Sequence, residues 1–402
     1  MNLPNKKVYL MISPNFPPNY YKFALELRKR DFIVLGIGDA YINELSENVR
    51  NNLDEYVQCY DMKNISSMIN IVQYFINKYG KIDFLESNNE YWLEEDSTLR
   101  EWFNISSGLF HKDIMKYKKK SLMKQYFINA GAKIARWHLS DNFESTLTWA
   151  NEVGFPIFVK PNIGVGASNT HRIKDSVELS DFYKKYDGFE YIFEQFIDGN
   201  VVSFDGITDS NGNIIFKNSE FFLVENDILV NCNMDDAYYT YDKIPEDLDE
   251  LGTNVVKAFD IKKRCFHIEF FRLNENSKFG KKDELYALEV NLRPAGGFTP
   301  DIISLSQNVN FYAIYADMIA YDKNLQDLSK DKCIAITASR RNALHYVRSV
   351  EEILEKYKEN ISQYGVYPEA IRDDMGDSYF IAKFNNVNDA LKFQNYVREK
   401  QE

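Results

Sequence analysis

Residues 288–297 read LEVNLRPAGG, and a second strand-like run, HIEFF, lies upstream at 267–271. Side chains alternate between the two faces of a strand. One face of the later run therefore carries Glu289, Asn291 and Arg293, and one face of the earlier run carries His267, Glu269 and Phe271. If the two runs pair across the polar connection 274–284, Glu269, Glu289 and Asn291 converge. Three oxygen-bearing side chains without a cysteine nearby match the hard-ligand chemistry of Mg2+ bound together with nucleotide phosphates. A solvated strand face also explains the alternating charges. It explains less readily the Asn-x-Arg-Pro continuation into Gly296 and Gly297.

Further upstream, FVKPNIGVGAS at 158–168 places Lys160 ahead of Gly164, Gly166 and Ser168. Backbone amides in a glycine-rich turn can point together at phosphate oxygens because no Cβ blocks the approach, and a lysine just before it adds a positive charge. A surface hairpin with glycines at turn positions is the alternative reading. The spacing fits neither the GxxxxGK[ST] loop nor GxGxxG.

The chain has 402 residues, enough for two or three domains, and its 45% hydrophobic and 27% charged residues are those of a soluble globular protein. A net charge of -12 disfavours a nucleic-acid binder, which needs a basic surface. Cys59, Cys232, Cys265 and Cys333 are scattered without paired spacing, so neither a zinc site nor a disulfide framework is expected. No apolar run approaches the roughly 18 residues of a membrane span, and VYLMI is too short for a secretory core. A cytoplasmic location without membrane association follows as the expectation.

Strand-like and helix-like runs alternate over the first 110 or so residues, from KVYLMIS through FIVLGIG to KIDFLES, and predict an open parallel α/β domain over 1–111. A basic helical stretch, HKDIMKYKKKSLMKQYFINAGAK, opens a longer α/β region over 112–322, with Gly131 as the helix stop. The remainder, 323–402, reads as a small α+β lobe.

Lys120 lying eleven residues before Gly131, then FVKPNIGVGAS, YIFEQFIDG, HIEFF and LEVNLRPAGG, together resemble the ATP-grasp superfamily in the family's own order. The resemblance covers roughly 112–322 and implies an ATP-grasp fold between an N-terminal α/β domain and a small C-terminal lobe. It implies that Lys120 and Lys160 are nucleotide lysines. Gly164, Gly166 and Ser168 would form a flap over the phosphates, and Glu194, Gln195, Phe196 and Ile197 a hinge reading the adenine edge. Glu269, Glu289 and Asn291 would hold Mg2+, with Mn2+ as an alternative ion, and Arg293 would steady the acyl-phosphate or transferring phosphoryl group. Many members carry a ribose-binding glutamate just after the hinge glycine. Here Asn200 follows Gly199, and Asn200 is the candidate replacement.

The activity implied is that of an ADP-forming, ATP-dependent carboxylate-amine ligase acting on small molecules such as amino acids, compatible with a homo-oligomer. A bicarbonate-activating enzyme of the carboxylase or carbamoyl-phosphate type is one rival, although no biotinyl-carrier Met-Lys-Met segment is present. A nucleotide-binding subunit that ligates nothing is another. Among other residues, His267 reads as a hydrogen-bonded structural histidine. Glu90 and Glu94 read as a solvated helix face, with Glu86, Asn88 and Glu90 at a carboxyl sheet end as the alternative. Tyr238, Tyr239 and Tyr241 are either packing or substrate-loop residues, and Arg340 and Arg341 read as surface charge.

Overall fold

VYLMI and IVLGIG are buried at every position, as parallel strands covered on both faces must be. The computed structural model describes residues 6–140, 142–164, 169–223, 235–276 and 280–401. A first parallel sheet contains β1 (Val8–Ile12), β2 (Ile33–Gly38), β3 (Glu55–Gln58) and β4 (Phe84–Glu86) in the order β3-β2-β1-β4. The chain reverses direction across β1, so a topological switch point lies between β1 and β4.

After β5 (Lys133–Ile134), the strands β6 (Trp137–Leu139), β7 (Ile157–Pro161), β8 (His171–Ile173) and β9 (Tyr191–Gln195) form an antiparallel sheet ordered β6-β9-β7-β8. The central sheet contains β5 and all the later strands. These are β10 (Gly199–Thr208), β11 (Ile214–Asn218), β12 (Glu220–Phe222), β13 (Ala237–Thr240), β14 (Arg264–Leu273), β15 (Leu285–Asn291), β16 (Ile334–Arg340), β17 (Ile361–Val366) and β18 (Ser378–Phe384). Its order is β17-β18-β16-β13-β12-β10-β14-β15-β5, with β11 on β10. The C-terminal α+β part is thus built onto the central sheet through the β13–β16 pairing. On the opposite face of β10, the helix Glu246–Phe259 comes so close that a Cβ at Gly252 would fall 2.4 Å from the Phe204 ring.

β14 and β15 pair as expected, with a register shift between Glu269 and Phe270. Glu269 faces Glu289, and His267 faces Asn291. A single helix was expected from His111. The chain instead forms His111–Lys118 and Lys120–Asn129, broken at Lys119, whose extended backbone bridges to Ile163.

The N-terminal sheet is fastened over this assembly. In the helix Phe311–Tyr321, Tyr312 and Tyr315 meet the ring of Phe23 edge-on at 4.8 and 4.9 Å, and Asp317 pairs with Arg30 at 2.7 Å. Arg100, wholly buried, donates to Leu85 O, Leu109 O and Glu86 Oε2. Arg264 at the start of β14 donates to the same Glu86 oxygen at 3.2 Å. A carboxylate at the end of β4 is therefore tied both to its own domain and to the central sheet. Removing one partner of a buried, hydrogen-bonded charge pair is expected to destabilise by about 3–5 kcal/mol because the other charge is stranded. Arg100→Met should lower stability by that order in chemical denaturation, and Arg100→Lys should not restore it, since lysine cannot reproduce the three-way fork. A loss below about 1 kcal/mol, the scale of an exposed pair, would contradict this role for Arg100.

Candidate active site

A cavity of about 190 Å3 opens between the antiparallel sheet and the central sheet. Its apolar walls include Ala135, Phe158, Ile197, Val201, Phe271 and Leu288. Lys120, Lys160, Glu194, Glu269, Glu289, Asn291 and Arg293 line its polar side, with Gln195, Phe196 and Thr170 at the hinge side. Phe196 stacks on Phe158 at 5.9 Å and carries the Arg172 guanidinium 4.1 Å from its ring centre. The lining thus combines apolar walls with convergent charged groups.

Each lysine is set by a specific backbone device. Asn162, wholly buried just beyond β7, accepts at its carbonyl from Lys120 N and at its side-chain oxygen from Ser121 N, both at 2.8 Å. Its amide donates to Ser121 Oγ and Glu190 Oε2. This clamp fixes the start of the Lys120–Asn129 helix against the strand that carries Lys160. Lys120 Nζ lies 3.1 Å from Glu289 Oε1 and 3.2 Å from Gly164 O. Lys160 Nζ lies 2.7 Å from Glu194 Oε2, and Lys124, buried one helical turn beyond Lys120, contacts Glu194 Oε1. Burial opposes the Glu194 charge, but Lys124 and Lys160 hold its carboxyl down to about 2. Burial likewise opposes the Lys160 ammonium, yet Glu194, Glu289 and Glu269 raise it above the ordinary lysine value.

Across the cavity, Glu269 is bonded to His267 Nε2 at 2.9 Å, and His267 Nδ1 lies 2.5 Å from Asp205. Burial disfavours the imidazolium, but Asp205 and then Glu269 push His267 up to about 10. The histidine is hydrogen-bonded as expected, and its partner is one of the candidate metal ligands. Arg293 turns back to donate to Pro294 O at 2.9 Å.

Several readings change. Glu90 is not on a solvated face: it is buried in a short 3-10 turn, and its Oε2 accepts from Leu292 N at 3.3 Å. Burial pushes its carboxyl up to about 7, Arg293 opposing and Glu289 adding to the rise. Glu94 is part-exposed and pairs with Lys118 at 3.3 Å. Asn200 does not reach the cavity. It alternates with Val201, which does, and its amide donates to Phe222 O at 3.3 Å. Arg340 and Arg341 are buried rather than on the surface, donating to Val397 O and Arg372 O respectively. Tyr238 is a packing residue bonded to Thr299 at 2.7 Å. Gly166 and Ser168 lie outside the described residues. Among the described residues Gly164 has room for a Cβ, with Pro161 at an ordinary contact distance of 3.4 Å. Lys124, Asn162 and Phe158 were not singled out from the sequence. Lys124 carried a signal, since it sits four residues after Lys120 on one helical face.

No family model matches the chain. The L-arginine-specific L-amino acid ligase of Bacillus subtilis is 24% identical over 268 residues, which are 62% of this chain and 61% of that protein, so the match spans less than two thirds of that relative. The crystal structure of an L-amino acid ligase from Bacillus licheniformis superposes with a TM-score of 0.70 at 15% identity, covering 97% of this chain and 96% of that one. N5-carboxyaminoimidazole synthetase from Staphylococcus aureus, complexed with ADP, gives 0.70 at 17% identity over 97% and 96%. The biotin carboxylase domain of 2-oxoglutarate carboxylase from Hydrogenobacter thermophilus, with MgADP and bicarbonate, gives 0.69 at 14% over 96% and 88%. The chain has the ATP-grasp fold.

The state of Glu90 gives a measurable pH dependence. Between its unfolded value and about 7, the unfolded chain has released the proton that the folded chain keeps. Folding then takes up a proton, so the contribution of Glu90 to stability falls as pH rises through this window and is constant above it. Glu90→Gln removes that slope. The variant should gain on wild type from about pH 5 to 7, by up to about 3 kcal/mol, in denaturation curves taken at each pH. A difference independent of pH would show that Glu90 does not fold as the neutral acid.

Proposed function

We propose that the chain is an ATP-dependent, ADP-forming ligase that joins a small carboxylate to an amine, with amino acids as the substrate class and the cytoplasm as its location. The observation that carries this reading is the convergence of Lys120, Lys160, Glu269, Glu289, Asn291 and Arg293 on one cavity with an apolar slot beside them. The resemblance to amino acid ligases supports the substrate class. Among the described residues no helix is long and apolar enough to cross a membrane.

The donor set fits a magnesium ion. Glu269 and Glu289 face each other in register and Asn291 is the next residue on that face, all hard oxygen donors. Among the described residues no three His, Cys, Asp or Glu side chains gather as a metal group, so an ion here needs phosphate oxygens to complete its shell. Bound there, Mg2+ or Mn2+ would neutralise charge on the phosphates.

The substrate carboxylate oxygen attacks the γ-phosphorus of ATP, and the bond to the β-phosphate oxygen breaks, with its electron pair leaving on ADP. The amine nitrogen then attacks the acyl carbon, phosphate departs with the C–O electron pair, and the amine loses a proton. Lys120 and Lys160 offset charge on the triphosphate, and Arg293 offsets charge on the transferring group or acyl phosphate.

A screen of ADP release over amino acids, singly and in pairs, with mass spectrometry of the product, tests this. Turnover requiring two co-substrates, with ADP and orthophosphate in equal amounts, is expected. Release with bicarbonate alone would favour the carboxylase type, and stoichiometric AMP would rule out an acyl phosphate. Glu289→Gln keeps volume while removing one charge. It should fold and slow turnover at least about a hundredfold, roughly 2.7 kcal/mol of transition-state stabilisation, with the Mg2+ midpoint raised. Unchanged Mg2+ dependence in a folded Glu269/Glu289 double glutamine variant would remove the site assignment.

A further inference from the structure

Beside the two cavity carboxylates lies a row of polar side chains to which the proposed reaction assigns no role. The β10–β14 register sets Ser203 opposite Glu269 and Asp205 opposite His267, on one face of the sheet. Ser203 Oγ donates to Asp205 Oδ2. The imidazole stands between two carboxylates, Nδ1 2.5 Å from Asp205 Oδ1 and Nε2 2.9 Å from Glu269 Oε1. Ser203, Asp205 and His267 are 0%, 2% and 3% exposed, so bulk water does not compete for these bonds. Neither Asp205 nor His267 lines the cavity, whereas Glu269 does.

A buried row of charged and polar groups is commonly no more stable than apolar side chains of the same volume. What it supplies is direction. A histidine held at one nitrogen by a carboxylate presents the other at a fixed angle, and a carboxylate bonded at one oxygen loses freedom to rotate. We propose that Asp205 and His267 are positioning residues for Glu269: Asp205 fixes the ring, the ring holds Oε1, and the other oxygen of Glu269 is presented to the cavity in a single orientation. This rests on the reading of Glu269 as a metal ligand. It assigns His267 to metal affinity rather than to nucleotide affinity, because its two bonds run to Asp205 and Glu269 and none runs to a lysine or to the apolar slot.

The experiment uses the full chain and two binding measurements. Mn2+ binding in the presence of ADP is followed by electron paramagnetic resonance, and ADP binding in EDTA by calorimetry, with thermal melts as the folding control. Wild type should bind Mn2+ with ADP. His267→Leu should weaken Mn2+ at least about tenfold while ADP affinity in EDTA stays within about twofold. His267→Gln, whose amide keeps a donor toward Glu269, should recover most of the loss, and Asp205→Asn should fall between the two. If His267→Leu does not fold, the glutamine and Asp205→Asn variants carry the comparison. Wild-type Mn2+ affinity in folded His267→Leu or Asp205→Asn overturns the positioning role, as does a parallel loss of Mn2+ and metal-free ADP binding. A wild-type protein that binds ADP but no Mn2+ overturns the metal site itself, a failure distinct from the first.

Discussion

Two carboxylates set directly opposite each other on neighbouring strands are the constraint around which the site is organised. Like charges across an antiparallel pair repel, and partial burial of Glu269 and Glu289 strengthens the effect. The surrounding elements each answer it with a cation. The helix start brings Lys120 to Glu289, β14 brings His267 to Glu269, β7 brings Lys160 within their field, and the turn after β15 brings Arg293. Without the break at Lys119 and the Asn162 clamp, the first of these would not point inward.

The cations are therefore already paired. Lys160 shares Glu194 with Lys124, and Lys120 donates to both Glu289 and the carbonyl of Gly164. In the proposed reading, a triphosphate entering the cavity would exchange one set of anionic partners for another and meet ammonium groups that are already desolvated. That is preorganisation in the electrostatic sense: most of the ordering is done by the fold before a ligand arrives. The double lysine grip on Glu194 also holds the end of β9, beyond which Phe196 and Ile197 line the slot.

What the sequence disclosed divides along a physical line. The face shared by Glu269, Glu289 and Asn291 follows from period-two alternation, a property of the chain itself, and was legible, whereas the register shift between Glu269 and Phe270 was not. That Lys120, Lys160 and residues 194–197 meet at one cavity was legible from ordered motifs. Residues whose role depends on a distant partner were not. Glu90 reads as one more acid on a helix, and only its meeting with Leu292, 202 positions away, makes it a buried acid. Arg340 and Arg341 read as surface charge because nothing local shows that carbonyls of Val397 and Arg372 will satisfy them. Asn200 failed for a different reason. The strand begins at Gly199 in a phase that turns Val201 rather than Asn200 toward the slot, and homology of position did not carry that phase.

Glu90 connects the N-terminal sheet to the charge balance of the site. It follows β4 at the carboxyl end of that sheet and lies beside Arg293, which also faces Glu269. Were Glu90 ionised, a second carboxylate would draw on the same guanidinium and weaken its field toward the cavity. Burial opposes this by raising the Glu90 carboxyl to about 7, and its Oε2 accepts the Leu292 amide bond. The first sheet, which Glu90 follows, is held against the central sheet by way of Phe23, Tyr312, Tyr315 and the Glu86–Arg264 link. In the proposed reading, the packing of the first sheet bears on the site through desolvation of Glu90.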